Sequence, residues 1–294
     1  MDIKAYLEEK RELVDKALKK YFLESDKKLL KKLKESMKYS LFAGGKRLRP
    51  ILCIAGAEAV GGNGEEVLSV ACALEFIHTY SLIHDDLPAM DDDDMRRGLP
   101  TNHKVFGEAI AILAGDGLLT DAFYIMTKQE CKNPKRLIRV INLIAEAAGS
   151  NGMVGGQAVD IESEGIDADI STLEFIHSHK TGALIKASVT SGAILAGAEE
   201  HEINAISNYG INIGIAFQIA DDILNVIGDP KLLGKRVGSD KEKQKITYPG
   251  ILGLEKSKQI QKELVQKAIS SLDIFDSKAD PLREIAKYII ERKK

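Results

Sequence analysis

The stretch His78-Thr-Tyr-Ser-Leu-Ile-His-Asp-Asp-Leu-Pro-Ala-Met-Asp-Asp-Asp-Asp-Met-Arg-Arg-Gly98 ends an apolar helical run, places six aspartates within ten residues and follows them with two arginines. Two like charges about 4 Å apart repel by roughly 1 kcal/mol in water and about 4 kcal/mol at the effective dielectric of a protein cleft. Carboxylates this dense are tolerated only when solvated or neutralised by cations. A solvated acidic loop would meet the first condition. Against that reading stands a second pair far downstream, Asp221-Asp222, flanked by apolar residues at helical spacing. Two hard-oxygen sites on two helices, with arginines beside one of them, are what magnesium ions and a diphosphate need.

Working outward from the first site, Asp85 and Asp91 are six positions apart, which on an unbroken helix separates them by about 120° around the axis. Pro88 lies between them and biases Leu87 out of helical geometry, so a distorted turn can bring both carboxylates to one cluster. At the second site Asp221 and Asn225 are one turn apart on one helix face, with Gln218 near it. A buried helix ending in adjacent aspartates is costly unless those charges are paired or metal-bound. His78 lies two turns before Asp85 on nearly the same stripe.

The remaining sequence reads as helices. Apolar positions recur at helical spacing over residues 2–24 (Ile3, Tyr6, Leu7, Val14, Leu18) and 26–42 (Leu30, Leu33, Met37, Leu41). Gly44-Gly45 interrupts, and Pro50 suits a helix start. Further helical runs cover 65–86, 107–130, 134–150, 152–160, 171–197, 202–227, 249–271 and 280–292, with a glycine- and lysine-rich loop at 228–245. No alternating strand pattern, hairpin signal, repeat or linker stands out. The expectation is one all-α domain over residues 1–294, a large helical bundle of about ten helices.

Composition bounds the function. The chain has 294 residues, 44% of them hydrophobic, and a net charge of -3 from 41 basic and 44 acidic side chains, which argues against nucleic-acid binding through bulk charge. Cys53, Cys72 and Cys131 are widely spaced in apolar surroundings and read as free thiols in a reducing, cytoplasmic setting. No apolar run is expected to reach the roughly 20 residues of a membrane span, and the charged N-terminus does not read as a secretory signal. The basic segment Lys46-Arg47-Leu48-Arg49 lacks the spacing of a nucleotide-binding loop, yet it flanks a helix start, where backbone N–H groups favour an anion. Lys180-Thr181-Gly182 sits within a helical run, and Lys235 and Lys245 follow the second aspartates.

Together these blocks resemble the trans-prenyl diphosphate synthases. Asp85-Asp86…Asp91 with Arg96-Arg97-Gly98 is similar to that family's first aspartate-rich motif. Gly44–Pro50, Gly156-Gln157…Asp160, Lys180-Thr181-Gly182 and Phe217-Gln218…Asp221-Asp222 resemble its other blocks, in its order, from about residue 40 to Arg292. The longer first motif looks like the bacterial farnesyl diphosphate synthase subtype, which plant-type geranylgeranyl synthases share. The resemblance implies an isoprenoid-synthase-like bundle around a deep central cavity and three magnesium ions bridging an allylic diphosphate to two acidic walls. By it, Asp85, Asp91 and Asp221 are metal ligands, supported by Asp86 and Asp222. Arg96, Lys180 and Lys235 hold the allylic diphosphate; Lys46, Arg49, His78 and Arg97 hold isopentenyl diphosphate; Thr181 and Gln218 face the developing carbocation. A homodimer is also implied. One departure is Asn225, where the family usually has a third aspartate; it keeps an oxygen and loses the charge.

Product length rests on Tyr80, the fifth position before the first aspartate, where bulk stops chain growth in the family. With Ser81 beside it, the expectation is a farnesyl product, with geranylgeranyl diphosphate as the alternative and a non-catalytic partner subunit as a third reading. A terpene cyclase would not need the second basic set. A calcium module would need a glycine and terminal glutamate that the acidic run lacks.

Overall fold

In the computed structural model, which describes residues 1–24, 27–166, 169–227 and 245–291, the chain runs through α1 (Ile3–Tyr21), α2 (Lys31–Leu41), α3 (Leu48–Ala59) and α4 (Leu68–Asp85). A short hairpin follows, β1 (Met95–Arg96) and β2 (Leu99–Pro100). Next come α5 (Asn102–Phe106), α6 (Glu108–Met126), α7 (Pro134–Ala148), α8 (Met153–Glu162) and α9 (Ile170–Ile176). The chain continues with α10 (Ala183–Ala196), α11 (Glu200–Ile227), α12 (Tyr248–Leu252), α13 (Leu254–Ser270) and α14 (Asp280–Glu291). Polar caps set several starts. Asp2 Oδ1 accepts from the N–H groups of Lys4 and Ala5 ahead of α1, and Asn133 Oδ1 accepts from Lys135 N–H ahead of α7, where Pro134 sits in the first turn.

The helices pack around two apolar cores. One gathers Leu18, Met37, Leu74, Phe76 and Leu118 from α1, α2, α4 and α6. The other gathers Ile51, Leu52, Tyr209 and Ile285 from α3, α11 and α14, where the buried Tyr209 hydroxyl donates to the Leu282 carbonyl (2.7 Å). The helix α4 is apolar on nearly every side because it lies between α3 and α6. At the crossing of α3 and α10, a Cβ on Gly192 would sit 1.8 Å from the Cys53 carbonyl oxygen, so only glycine permits that approach.

Three features depart from the sequence reading. The hairpin escapes pattern analysis because each strand has two residues; its turn, Arg97-Gly98, has φ of 53° and 78°, the two left-handed positions of a type I′ turn. The helical run at 249–271 is broken at Gly253, whose φ is 79°. Finally, Gly64–Asp85, Glu108–Met126 and Glu200–Ile227 are long and apolar enough to cross a membrane by length and composition, correcting the expectation that no run reaches that size. In the first of these, 72% of the apolar window is buried inside the fold, which accounts for its character.

The glycine contact is testable. Gly192→Ala is expected to destabilise the protein by about 1–3 kcal/mol through overpacking between α3 and α10, measured by chemical denaturation.

Candidate active site

The C-terminal end of α4 forms one wall. The helix stops at Asp85, and the chain folds back so that the Asp91 N–H donates to the Asp85 carbonyl (2.8 Å) and the Asp92 N–H to the Leu87 carbonyl (3.1 Å). This is the distorted turn that Pro88 announces. The acidic run is then neutralised in pieces. Arg96 donates to both oxygens of Asp86 (Nε at 2.7 and 2.9 Å) and lies 3.7 Å from Asp93. Lys104 pairs with Asp94 (2.7 Å), and Lys245 with Asp91 (2.9 Å).

Asp85 lines a cavity of about 800 Å³, and Asp221 lines the same cavity. Burial raises the Asp85 carboxyl to about 6; Lys180 opposes the shift and Asp91 adds to it. On the second wall Asp222 turns inward. It is 4% exposed, accepts from the Tyr248 N–H (3.0 Å) and lies 3.6 Å from His177 Nε2, whose ring stacks on Tyr248. Asp86, Asp91 and Asp222 are each engaged by protein partners and are not among the residues that line this cavity. Asn225, one turn beyond Asp221, is buried. An amide is less costly to bury there than a third carboxylate would be.

Between the walls the helix containing α9 and α10 widens into a six-residue π-helical turn, His177–Gly182. Such turns often occur at functional sites. It presents Lys180 and Thr181 to the cavity. Lys180 Nζ donates to Asp160 on α8 (2.6 Å), and the Thr181 hydroxyl donates to Gln218 Oε1 on α11 (2.8 Å). Both neighbours come unusually close: a Cβ on Gly156 would lie 2.2 Å from Lys180 N, and one on Gly214 would lie 2.6 Å from Gly182 Cα.

Behind the first wall is a basic pocket. Lys46, Arg49, His78 and Arg97 all line the cavity, as does Arg96. Arg97 donates to the Gly44 carbonyl, and its guanidinium covers Gly45, where a Cβ would approach to 2.7 Å. Burial pushes the Arg49 guanidinium down to about 10, which leaves it cationic. Burial, reinforced by Arg49 and Arg97, holds His78 well below its ordinary value and therefore neutral. Among the described residues, Arg49 Nε, His78 Nδ1, Glu75 Oε2 and both amide atoms of Gln157 are buried without a hydrogen-bond partner, and all four residues line this cavity. Buried polar atoms left unpaired in this way fit a site built for a polar ligand.

Sequence reading missed the support beneath this pocket. Arg47, at φ 50°, is buried and donates to Asp15 (2.8 Å), Glu75 (2.7 Å) and the Leu41 carbonyl (2.9 Å), fixing the loop that carries Lys46 and leads into α3, where Arg49 lies. Its acidic partners are remote in sequence, and only an isolated glutamate inside an apolar helix hinted at them. His177 gave no signal. For Lys245, burial alone would lower the ammonium's pKa, but Asp160 and Asp91 outweigh this and hold it above its ordinary value. Lys235 lies outside the described residues.

Among the described residues no group of three or more His, Cys, Asp or Glu side chains is placed to hold a metal ion by itself. Magnesium, however, keeps several waters and is held by one or two carboxylates plus substrate phosphates rather than by an all-protein cage. Asp85 and Asp221 lining one cavity, with a basic pocket for anions, fit magnesium carried in with a diphosphate.

An all-helical bundle enclosing one cavity, acidic on opposite sides and basic behind one of them, is the architecture of an isoprenoid synthase. The chain belongs to the polyprenyl synthetase family, whose pattern matches residues 30–288. It is 50% identical to a dimethylallyltranstransferase of Fischerella ambigua, over 98% of this chain and 83% of the relative. It is also 50% identical to a geranylgeranyl diphosphate synthase of Cyanophora paradoxa, over 98% of this chain and 95% of the relative. The crystal structure of geranylgeranyl pyrophosphate synthetase from Pyrococcus horikoshii superposes with a TM-score of 0.91 at 36% identity, covering 99% of this chain and 98% of that one. The protein is a prenyl diphosphate synthase, of a family that uses isopentenyl and allylic diphosphates and is generally magnesium-dependent.

The raised Asp85 carboxyl has a consequence for stability. The folded state holds that proton more tightly than the unfolded chain, whose carboxyl keeps the ordinary 3.8. Without metal, stability therefore falls as pH rises from about 4 to about 6. Asp85→Asn is expected to remove about 2 kcal/mol of that loss, seen by comparing denaturant unfolding of both proteins in chelator at pH 4.5 and pH 7.

Proposed function

We propose that this chain makes geranylgeranyl diphosphate by successive head-to-tail additions of isopentenyl diphosphate to an allylic diphosphate. The observation carrying the reaction type is the shared cavity: Asp85 and Asp221 line it together with Lys180 and the basic pocket. Magnesium bound with the allylic diphosphate supplies Lewis acidity at its leaving group. The chain supplies the rest. Lys180 adds a fixed cation beside the acidic walls. The Thr181 and Gln218 oxygens, locked to one another, turn partial negative charge toward the carbon that becomes cationic. Lys46, Arg49 and Arg97, with neutral His78 as a hydrogen-bonding partner, hold the isopentenyl diphosphate. Proton loss completes each addition, with the released diphosphate as acceptor.

Growth of the chain is directed along α4 and α8, past Ser81, Met153, Val154 and Ala158. Tyr80 suggested a stop at fifteen carbons. It lines the cavity, and its ring packs edge-on against His84 with centroids 5.7 Å apart. Support for twenty carbons comes from the geranylgeranyl synthases to which the chain is similar. We also propose a homodimer, for which exposed Ile112, Leu113 and Tyr124 on α6 offer an apolar face.

Incubation with isopentenyl and dimethylallyl diphosphates and magnesium, followed by product chromatography, is expected to give a twenty-carbon product; farnesyl diphosphate as the sole end product would reject the length. Asp85→Asn and Asp221→Asn are each expected to lower kcat by about 100-fold or more, the scale of losing an electrostatic group at a transition state. Tyr80→Ala is expected to shift products to longer chains, and an unchanged product would place the stop elsewhere.

A further inference from the structure

The hairpin that carries Arg96 and Arg97 is held by little apolar packing. Its strands have two residues each, and Met95 and Leu99 are 55% and 40% exposed. A two-stranded hairpin of that kind is marginal in water without further support. A small cavity of about 30 Å³, lined by Arg97, Leu99, Thr79 and Asn102 among others, lies between the hairpin, α2 and α4. Polar ties to α2 take the place of packing. The Tyr39 hydroxyl donates to the Pro100 carbonyl (2.8 Å). Asn102, 2% exposed at the start of α5, engages its whole amide. Its Nδ2 donates to the Ser36 carbonyl (2.9 Å) and to Ser40 Oγ (2.8 Å), and its Oδ1 accepts from Ser36 Oγ (2.7 Å). Arg96 is aimed separately, by Asp86. Arg97, at φ 53° in the turn, donates to a backbone carbonyl, that of Gly44, so its aim depends on where the hairpin sits.

We propose that Asn102 is a positioning residue for isopentenyl diphosphate binding: by tying the foot of the hairpin to α2, it holds the turn that presents Arg97 to the main cavity. The proposal rests on the reading of Arg97 as a ligand of that diphosphate. A planar amide suits the task, because it offers donors and an acceptor in one fixed frame. With both of its N–H groups and its oxygen engaged while buried, any shift of the hairpin leaves a polar atom unpaired, which is costly. Asn102 is not among the residues that line the main cavity, so its effect on substrate passes through the hairpin. A misplacement of about 1 Å in a group that positions substrate can cost on the order of 100-fold in rate.

The test is steady-state kinetics of the full-length protein with isopentenyl and dimethylallyl diphosphates and magnesium, arranged as a double-mutant cycle. Asn102→Ala is expected to raise KM for isopentenyl diphosphate about tenfold, with kcat at saturation kept within about threefold. Arg97→Gln should raise the same KM. In that background Asn102→Ala should add little, because the group it positions is gone. Ser40→Ala removes one of the ties to Asn102 and should raise KM by less, whereas Ser40→Thr keeps the hydroxyl and should match the parent. If Asn102→Ala fails to fold, Ser40→Ala takes its place in the cycle. A residue that served stability alone would lower the melting temperature without coupling to Arg97. Unchanged KM in the folded variant, an equal rise in the Arg97→Gln background, a matching rise in KM for dimethylallyl diphosphate, or a Ser40→Thr shift as large as that of Ser40→Ala would each overturn the proposal. If Arg97→Gln raises KM and Asn102→Ala does not, only the role of Asn102 falls. If Arg97→Gln leaves KM unchanged, or the parent chain fails to condense the two substrates, the proposed function fails at that point and this role with it.

Discussion

Carboxylates gathered around one cavity repel one another unless cations lie among them, and the placement of this protein's functional groups answers that constraint. Arg96 covers Asp86, Lys180 covers Asp160 and Lys245 covers Asp91. Asp85 is left beside the cavity with its carboxyl pushed up by burial. A site arranged in this way is already poised for positive charge. Its chemistry needs that, because the leaving group of the reaction is itself a multiply charged anion.

The helical scaffold serves this arrangement by bringing backbones unusually close. Gly156 and Gly214 let α8 and α11 grip the π-helical turn from two sides, so that Lys180 and Thr181 are aimed by packing rather than by their own rotamers. The buried Asp222, His177 and Tyr248 cluster supports the same turn from behind. On the other wall, Arg47 sits in a left-handed conformation because three acceptors claim its guanidinium. The loop bearing Lys46 is thereby fixed where it enters α3, whose first turn carries Arg49.

Much of this was legible in the chain. Apolar residues at helical spacing marked α1 and α2, since a buried stripe must repeat with the helical turn, and long apolar runs marked helices such as α4 and α10. The acidic run and the second aspartate pair stood out because a charge cluster beside apolar residues is costly without a purpose. The two-residue strands of the hairpin were too short to show a period, although Arg97-Gly98 supplied its turn. The glycine at 253 divided one expected helix into two. Three apolar helices matched a membrane span in length and composition; for Gly64–Asp85, 72% buried in the fold, the cause is that burial in protein and burial in lipid select similar residues.

By itself the sequence determined that the chain is helical, that it carries two acidic sites and a basic segment, and which family it resembles; each of these is written in neighbouring residues. Only the tertiary structure decided that Asp85 and Asp221 share one cavity, and that Asp86 and Asp222 turn away from it. It alone paired Lys245 with Asp91, 154 residues earlier. The reason is physical: periodicity and local charge report on a single helix, whereas the partner of a buried charge is chosen by whichever distant segment packing brings within reach.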